Sequence, residues 1–313
     1  MSRRSPLSEV PFVLNTDVLN FDDARRHLSS HEPVVVRLKE SMKEWDCSSI
    51  LSIEKLSAAL RDAKIPVSYV AQTSKAPHLT MRFSDFLAKI LEPGYYRSVR
   101  RLYIEQKRVP LNIVNLFSYI FPFIRKFDSQ FELDSLDYTS RFFLFFAGRY
   151  SLTECHEHGG YEALLFQISG TKEVLLHKPT RANFEALYAD PKKYENWSPV
   201  HPLDPDYDNY PKYSDVSSHY TRVSAGEALY IPDGWYHSVA SLGDAPSVGL
   251  TYFFPQRFLD FQAEPRRLQL HQLVSAMSFR EKRQLMHTLS TSARTMESLA
   301  TARNIHRSQV KPD

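Results

Sequence analysis

The chain has 313 residues, 42% hydrophobic and 13% aromatic, which is enough apolar surface for one large domain or two modest ones and too much for a disordered chain. Lys and Arg outnumber Asp and Glu by only three, and the pI near 8.7 reflects that mild excess; the charge is not gathered into a dense basic patch, which argues against a nucleic-acid partner. No run of about eighteen apolar residues occurs, which argues against a membrane-spanning helix.

The opening Met-Ser-Arg-Arg-Ser-Pro lacks the apolar core of a secretory signal. The two cysteines, Cys47 and Cys155, are too far apart for a metal knuckle. A reducing, cytoplasmic setting is the expectation. Residues 22–28 predict a short helix, and Pro33 to Leu38, β-branched and bounded by Pro and charge, predicts a strand. Residues 52–60 carry apolar side chains at helical spacing and precede a strand at 65–70. Ser84 reads as the N-cap of a helix over 85–91, and Arg100 to Glu105 reads as a strand. The apolar stretch 111–127 is interrupted by Asn112, Asn115, Ser118 and Arg125 and reads as a buried helix or lid.

From Arg141 the pattern becomes strand after strand: 142–147, 161–168, 173–177, 228–231, 235–241 and 247–254. Twenty Phe, seventeen Tyr and nineteen Pro against nine Gly favour strands over a helical bundle. Short strands separated by turns predict a mainly β sandwich or barrel. A Pro-, Asp- and Tyr-rich insertion over 180–221 breaks the series and is long enough for a lid, a binding loop or a solvated excursion. Beyond Pro255 the spacing turns helical, with Leu270, Leu273, Val274 and Met277 on one stripe and Ser278 to Glu281 as a capping box.

Two segments carry the chemistry. In Thr153-Glu-Cys-His156-Glu-His158-Gly-Gly-Tyr-Glu162, a strand would put His156 and His158 on one face and Glu157 on the other. In Gly226-Glu-Ala-Leu-Tyr-Ile-Pro232-Asp-Gly234-Trp-Tyr-His237, a Pro-Asp-Gly turn separates an apolar strand from one bearing His237. Three neutral imidazoles on rigid strands can hold one face of a transition metal and leave positions open. Glu162 is a fourth candidate ligand, and the two glycines before it permit either a bulge that turns it inward or a turn that releases it.

These segments resemble the two cupin motifs: His156-x-His158 followed by Glu162, and Gly226, Pro232, Gly234 and His237 at the spacing of the second motif. The wider context is similar to the JmjC branch of the cupins. Thr153 stands three before His156, Gln167-Ile-Ser-Gly170-Thr-Lys172 is similar to the family's Q-x-x-G-x-K strand pair, and Arg101 to Gln106 is similar to a segment of the asparaginyl hydroxylases. The resemblance implies a double-stranded β-helix over residues 1–255, with flanking helices and N-terminal α/β elements, and a helical segment over 256–313 of the kind that forms homodimers. It implies Fe(II) held by His156, His158 and His237, and 2-oxoglutarate held by Lys172 with Thr153 and Tyr103. The implied activity is hydroxylation of a protein, peptide or amino-acid-like substrate, with no catalytic side chain beyond the metal site. One departure stands out: the family places Asp or Glu where this chain has His158. Two other readings stay open, a 2-oxoglutarate-independent metal cupin with a three-His, one-Glu site, and a cupin that has lost catalysis and serves as a binding module.

Overall fold

The computed structural model describes residues 7–9, 12–13, 31–37, 53–69, 79–92, 102–108, 142–148, 151–158, 161–187, 197–201, 205–242 and 246–255. In chain order the elements are β1 (Leu7–Glu9), β2 (Phe12–Val13), β3 (Val34–Arg37), α1 (Ile53–Leu60), β4 (Lys64–Tyr69), β5 (Leu79–Arg82), α2 (Phe83–Leu91), β6 (Leu102–Arg108), β7 (Phe142–Ala147), β8 (Ser151–His156), β9 (Tyr161–Ser169), β10 (Thr171–His177), α3 (Arg181–Leu187), a 3-10 turn (Pro211–Asp215), β11 (Ser218–Ser224), β12 (Glu227–Ile231), β13 (Tyr236–Leu242) and β14 (Ser247–Pro255).

The strands form two sheets. One runs β1-β11-β10-β13-β8, and the other runs β2-β3-β12-β9-β14-β7-β6-β4-β5. Pairing is antiparallel apart from β1 on β11 and β2 on β3. The two sheets close on a shared core. Val174, Leu176, Val223 and Val239 come from the smaller sheet; Val35, Ala163, Leu165, Leu229 and Ile231 come from the larger, and Trp235 sits at the turn between β12 and β13. Alternation explains the register: β10 buries Lys172, Val174 and Leu176 while Thr171, Glu173 and Leu175 are less covered, the period-2 signature of a strand with one face inward. β9 is buried on both faces from Glu162 to Ile168, as a strand with neighbours on each side and cover front and back must be. This is the mainly β, cupin-type fold that the sequence predicts.

Turn chemistry fixes the connections. Gly170 (φ +75°) closes the β9–β10 hairpin, and a β-carbon there would sit 3.2 Å from the Pro246 carbonyl oxygen and the Ser247 Cα. Gly234 (φ 76°) ends the Pro-Asp-Gly turn, where the Trp235 amide donates to the Pro232 carbonyl, a backbone conformation that only glycine adopts without strain.

Two expectations change. The helix predicted over 85–91 begins at Phe83, with Arg82 in extended geometry at the cap and no side-chain cap bond. Ser84 is therefore inside the helix. Tertiary packing overrides local capping here, because Phe83 and Phe86 are fully buried and both meet the Phe146 ring edge to face at 5.6 and 5.7 Å. The described parts of the 180–221 insertion are also structured. It contains α3 and the 3-10 turn, and its last residues already belong to β11. Phe184, Leu187, Val200, Tyr213 and Val216 pack with Cys155 and Tyr236 of β8 and β13, so the insertion covers the outer face of the smaller sheet. The helix expected over 22–28, the 111–127 segment and the C-terminal helices with their dimer lie outside the described residues.

Candidate metal centre

Three neighbouring strands, β10, β13 and β8, supply the frame. On β13 the residues His237, Val239 and Ser241 stand opposite Leu176, Val174 and Lys172 of β10, and His237 also stands opposite His156 of β8. Cross-strand partners share a face, so His156, His237 and Lys172 all point between the sheets. β8 ends at His156, and His158 follows in irregular backbone rather than on the strand expected for it. Its ring nevertheless closes the group, at 4.5 Å from the His237 ring, 5.6 Å from the His156 ring and 4.8 Å from the Phe253 ring.

The His156 and His237 rings are 4.4 Å apart, and one ligating atom from each of His156, His158 and His237 lies within 4.8 Å of the others. Their tautomers follow from their partners. His156 Nδ1 donates to the Glu154 carbonyl at 2.8 Å, and His237 Nδ1 donates to the Trp235 carbonyl at 2.9 Å; a carbonyl can only accept, so Nε2 of each ring keeps its lone pair. Orienting an imidazole through its second nitrogen is how protein metal sites fix their ligands. Burial, then the His237 and His156 rings, holds His158 well below the usual imidazole range. Burial first, and then His156, does the same to His237. Neutral imidazole is the ligating form.

Lys172 is the second feature. It is 4% exposed, and burial pushes its ammonium down to about 8. Among the described residues no carboxylate pairs with Nζ, which lies 5.4 Å from the centre of the Phe145 ring. Gly249 stands across from it, and a β-carbon there would come within 2.6 Å of Nζ. Among the described residues Gln167 Oε1 and Thr251 Oγ1 are likewise buried without a hydrogen-bond partner; Gln167 Nε2 is anchored to Ser169 O and Ser247 Oγ. Gly249 pairs with Gln167, so these groups line one interior wall.

Thr153 reaches the same side by an irregularity. The β13–β8 register shifts between His237 and Val239, which places Thr153 opposite Val239 and turns it to the His156 face despite its odd spacing. Tyr103 lies on β6 opposite Ala147 and Ser68; its side chain is outside the described residues. Glu162 is turned away from the imidazoles. It shares a parity with Leu164 and Phe166, accepts from Tyr230 Oη at 3.0 Å and lies 3.5 Å from His31 Nδ1. The three-His, one-Glu arrangement is therefore not formed. Cys155 also leaves the site, buried on the opposite face with its thiol pushed up to about 12 by desolvation.

Sequence reasoning missed Trp197, whose ring stacks on His156 at 4.7 Å and 21°, because nothing periodic marks it within the insertion. It also missed Gly249, although a lone glycine inside an apolar strand signals a close approach.

Comparison with known proteins agrees with this architecture. Residues 20–260 match a family described as a cupin-like domain. The human bifunctional peptidase and (3S)-lysyl hydroxylase JMJD7 is 29% identical over 111 residues, covering 29% of this chain and 35% of that protein. The lysine-specific demethylase JMJ31 of Arabidopsis thaliana is 30% identical over 139 residues, 41% of this chain and 25% of that protein. The tRNA wybutosine-synthesizing protein 5 of Gallus gallus is 26% identical over 226 residues, 67% of each chain. The first two similarities therefore span about a third or less of those relatives.

Proposed function

This chain belongs to the cupin-like domain family, and from that premise we propose that it is an Fe(II)- and 2-oxoglutarate-dependent oxygenase acting on a protein or peptide side chain. The observation that carries the reading is one wall of the barrel bearing both three convergent imidazoles and a buried ammonium with no carboxylate partner among the described residues.

The donor set suits a borderline divalent transition metal such as Fe(II), for which imidazole is an ordinary ligand. The ammonium suits a dicarboxylate. Lys172 lies four residues along β10 from the residue paired with His237, roughly 13 Å of strand, a separation that a lysyl side chain and a five-carbon diacid bridge end to end. Charge-assisted hydrogen bonds of this kind are the stronger class, more so where water is excluded. When bound, iron with the keto acid supplies the oxidising power to place one oxygen of dioxygen on a C–H bond while the keto acid becomes succinate and carbon dioxide. The protein's share is geometric and electrostatic: His156, His158 and His237 hold the metal, Lys172 anchors the distal carboxylate, Thr153 stands on the same face, and the apolar core between the sheets keeps water away.

The substrate class draws support from the lysyl hydroxylase named among the relatives and from the modest net charge of +3. The test is anaerobic addition of Fe(II) and 2-oxoglutarate, expected to give the visible charge-transfer band of a chelated keto acid. Iron binding without that band would point to a metal cupin that does not use the keto acid, and no iron binding would point to a binding module. Succinate release driven by peptides rather than by tRNA would then support the substrate class.

A further inference from the structure

We propose that Trp197 is a positioning residue that locks the His156 imidazole from the edge of the smaller sheet, so that the stretch 197–201 of the insertion is part of the metal site rather than mere cover. The inference rests on the metal reading above. Among the described strands β8 is the edge of its sheet, and an edge leaves backbone groups without a ladder partner. Trp197 covers that edge at the ligand itself: its backbone bridges His156 in antiparallel fashion, and the adjacent Ser198 amide donates to the Cys155 carbonyl at 2.8 Å. Ser198 Oγ in turn donates to the Leu187 carbonyl of α3 at 2.7 Å, which ties the bridge to the helix that packs behind the sheet.

The side chain adds a separate constraint. With the indole nearly parallel to the imidazole at 4.7 Å and Nδ1 bound to Glu154 O, His156 is held both about its ring plane and along its edge. Each restriction lowers the reorientation needed to ligate, the role that outer partners of metal ligands play. Backbone bridge and ring stack are independent, so a side-chain substitution removes the stack and leaves the bridge.

The experiment is anaerobic titration of the full chain with Co(II), following its visible d–d bands, for the parent, W197F and W197A, with far-ultraviolet circular dichroism as the folding control. The parent is expected to bind, W197A to bind about tenfold more weakly with altered band intensities, and W197F to recover most of the affinity and the parent spectrum. If W197A does not fold, W197L, which keeps apolar bulk without an aromatic face, takes its place and is expected to behave as the weak binder. A parent that binds no Co(II) overturns the metal reading and this inference together. A parent that binds, with W197A or W197L equal to it in affinity and bands, overturns this inference alone, as does a W197F no better than W197A.

Discussion

Gly249 faces Lys172 so closely that a β-carbon on it would lie 2.6 Å from Nζ and 3.4 Å from Cε. Glycine at this point of β14 is what leaves room for the ammonium. The atom in the way is the far end of a flexible side chain, so G249A is expected to fold and to displace the Lys172 head rather than the strand. Losing one charge-assisted contact of about 1.5–3 kcal/mol corresponds to roughly 10- to 100-fold weaker 2-oxoglutarate binding. Calorimetric titration of the Fe(II)-loaded or metal-substituted protein measures this, with metal affinity expected to stay at the parent value. Unchanged keto-acid affinity in a folded G249A would remove Lys172 from the cosubstrate site.

Lys172 also sets a pH dependence. Its folded value, about 8, lies below the ordinary 10.5 because of burial, so between those limits the unfolded chain binds more protons than the folded one and stability rises with pH. Below about pH 8 the whole penalty is present, on the order of 3 kcal/mol. K172M, which keeps the apolar stem and removes the charge, is expected to melt higher than the parent at pH 7 and to lose the alkaline rise in stability. It should also lose 2-oxoglutarate. In the parent, keto-acid affinity is expected to fall above about pH 8 as the ammonium deprotonates. Thermal melts and titrations across pH 6.5 to 9.5 check both slopes, and a K172M less stable than the parent at pH 7 would contradict the description of a buried charge with no carboxylate partner among the described residues.

How far the sequence reveals the site depends on which rule each residue obeys. His156 and His237 are legible because a period-2 strand and a Pro-Asp-Gly turn place them, and both rules are local. Thr153 is legible only through family resemblance, since its spacing from His156 argues for the opposite face until the register shift in β8 is seen. His158 reaches the group although the strand ends before it, so parity gives the right neighbours for a reason that does not operate. Glu162 could have gone either way after two glycines, and the pairing of β9 with β12 and β14 decides it. Trp197 depends on a long-range bridge to an edge strand, which no window of sequence contains.

Cys155 lies within the motif segment yet serves the opposite face, packed against Phe184, Leu187, Val200 and Tyr213. With its thiol pushed up to about 12 by burial, almost no thiolate forms near neutrality. In a Cys47→Ser background, Cys155 is expected to resist alkylation at pH 8 in the folded protein and to react on unfolding in denaturant. C155A should cost about 1 kcal/mol of stability while leaving Co(II) binding intact. Rapid labelling of the native protein, or loss of metal with C155A, would return the thiol to the site.

His158 stands where the JmjC motif that this segment resembles places a carboxylate, and its consequences separate into holding the metal and setting its charge. Its ring packs against those of His156, His237 and Phe253, and among the described residues its Nδ1 has no hydrogen-bond partner, so these ring contacts fix its direction. H158A removes one of three donors and is expected to weaken Fe(II) or Co(II) binding by 100-fold or more, an order of magnitude beyond the loss of an outer partner. H158D keeps a donor but lowers the charge of the loaded site by one. Metal binding should persist in that variant, while the dianionic keto acid should bind severalfold more weakly, because the attraction between cation and dianion scales with their charges. Parallel titrations of the two variants with metal and then with 2-oxoglutarate distinguish these effects. Keto-acid binding that strengthens in H158D would mean that the third imidazole hinders the cosubstrate instead of favouring it.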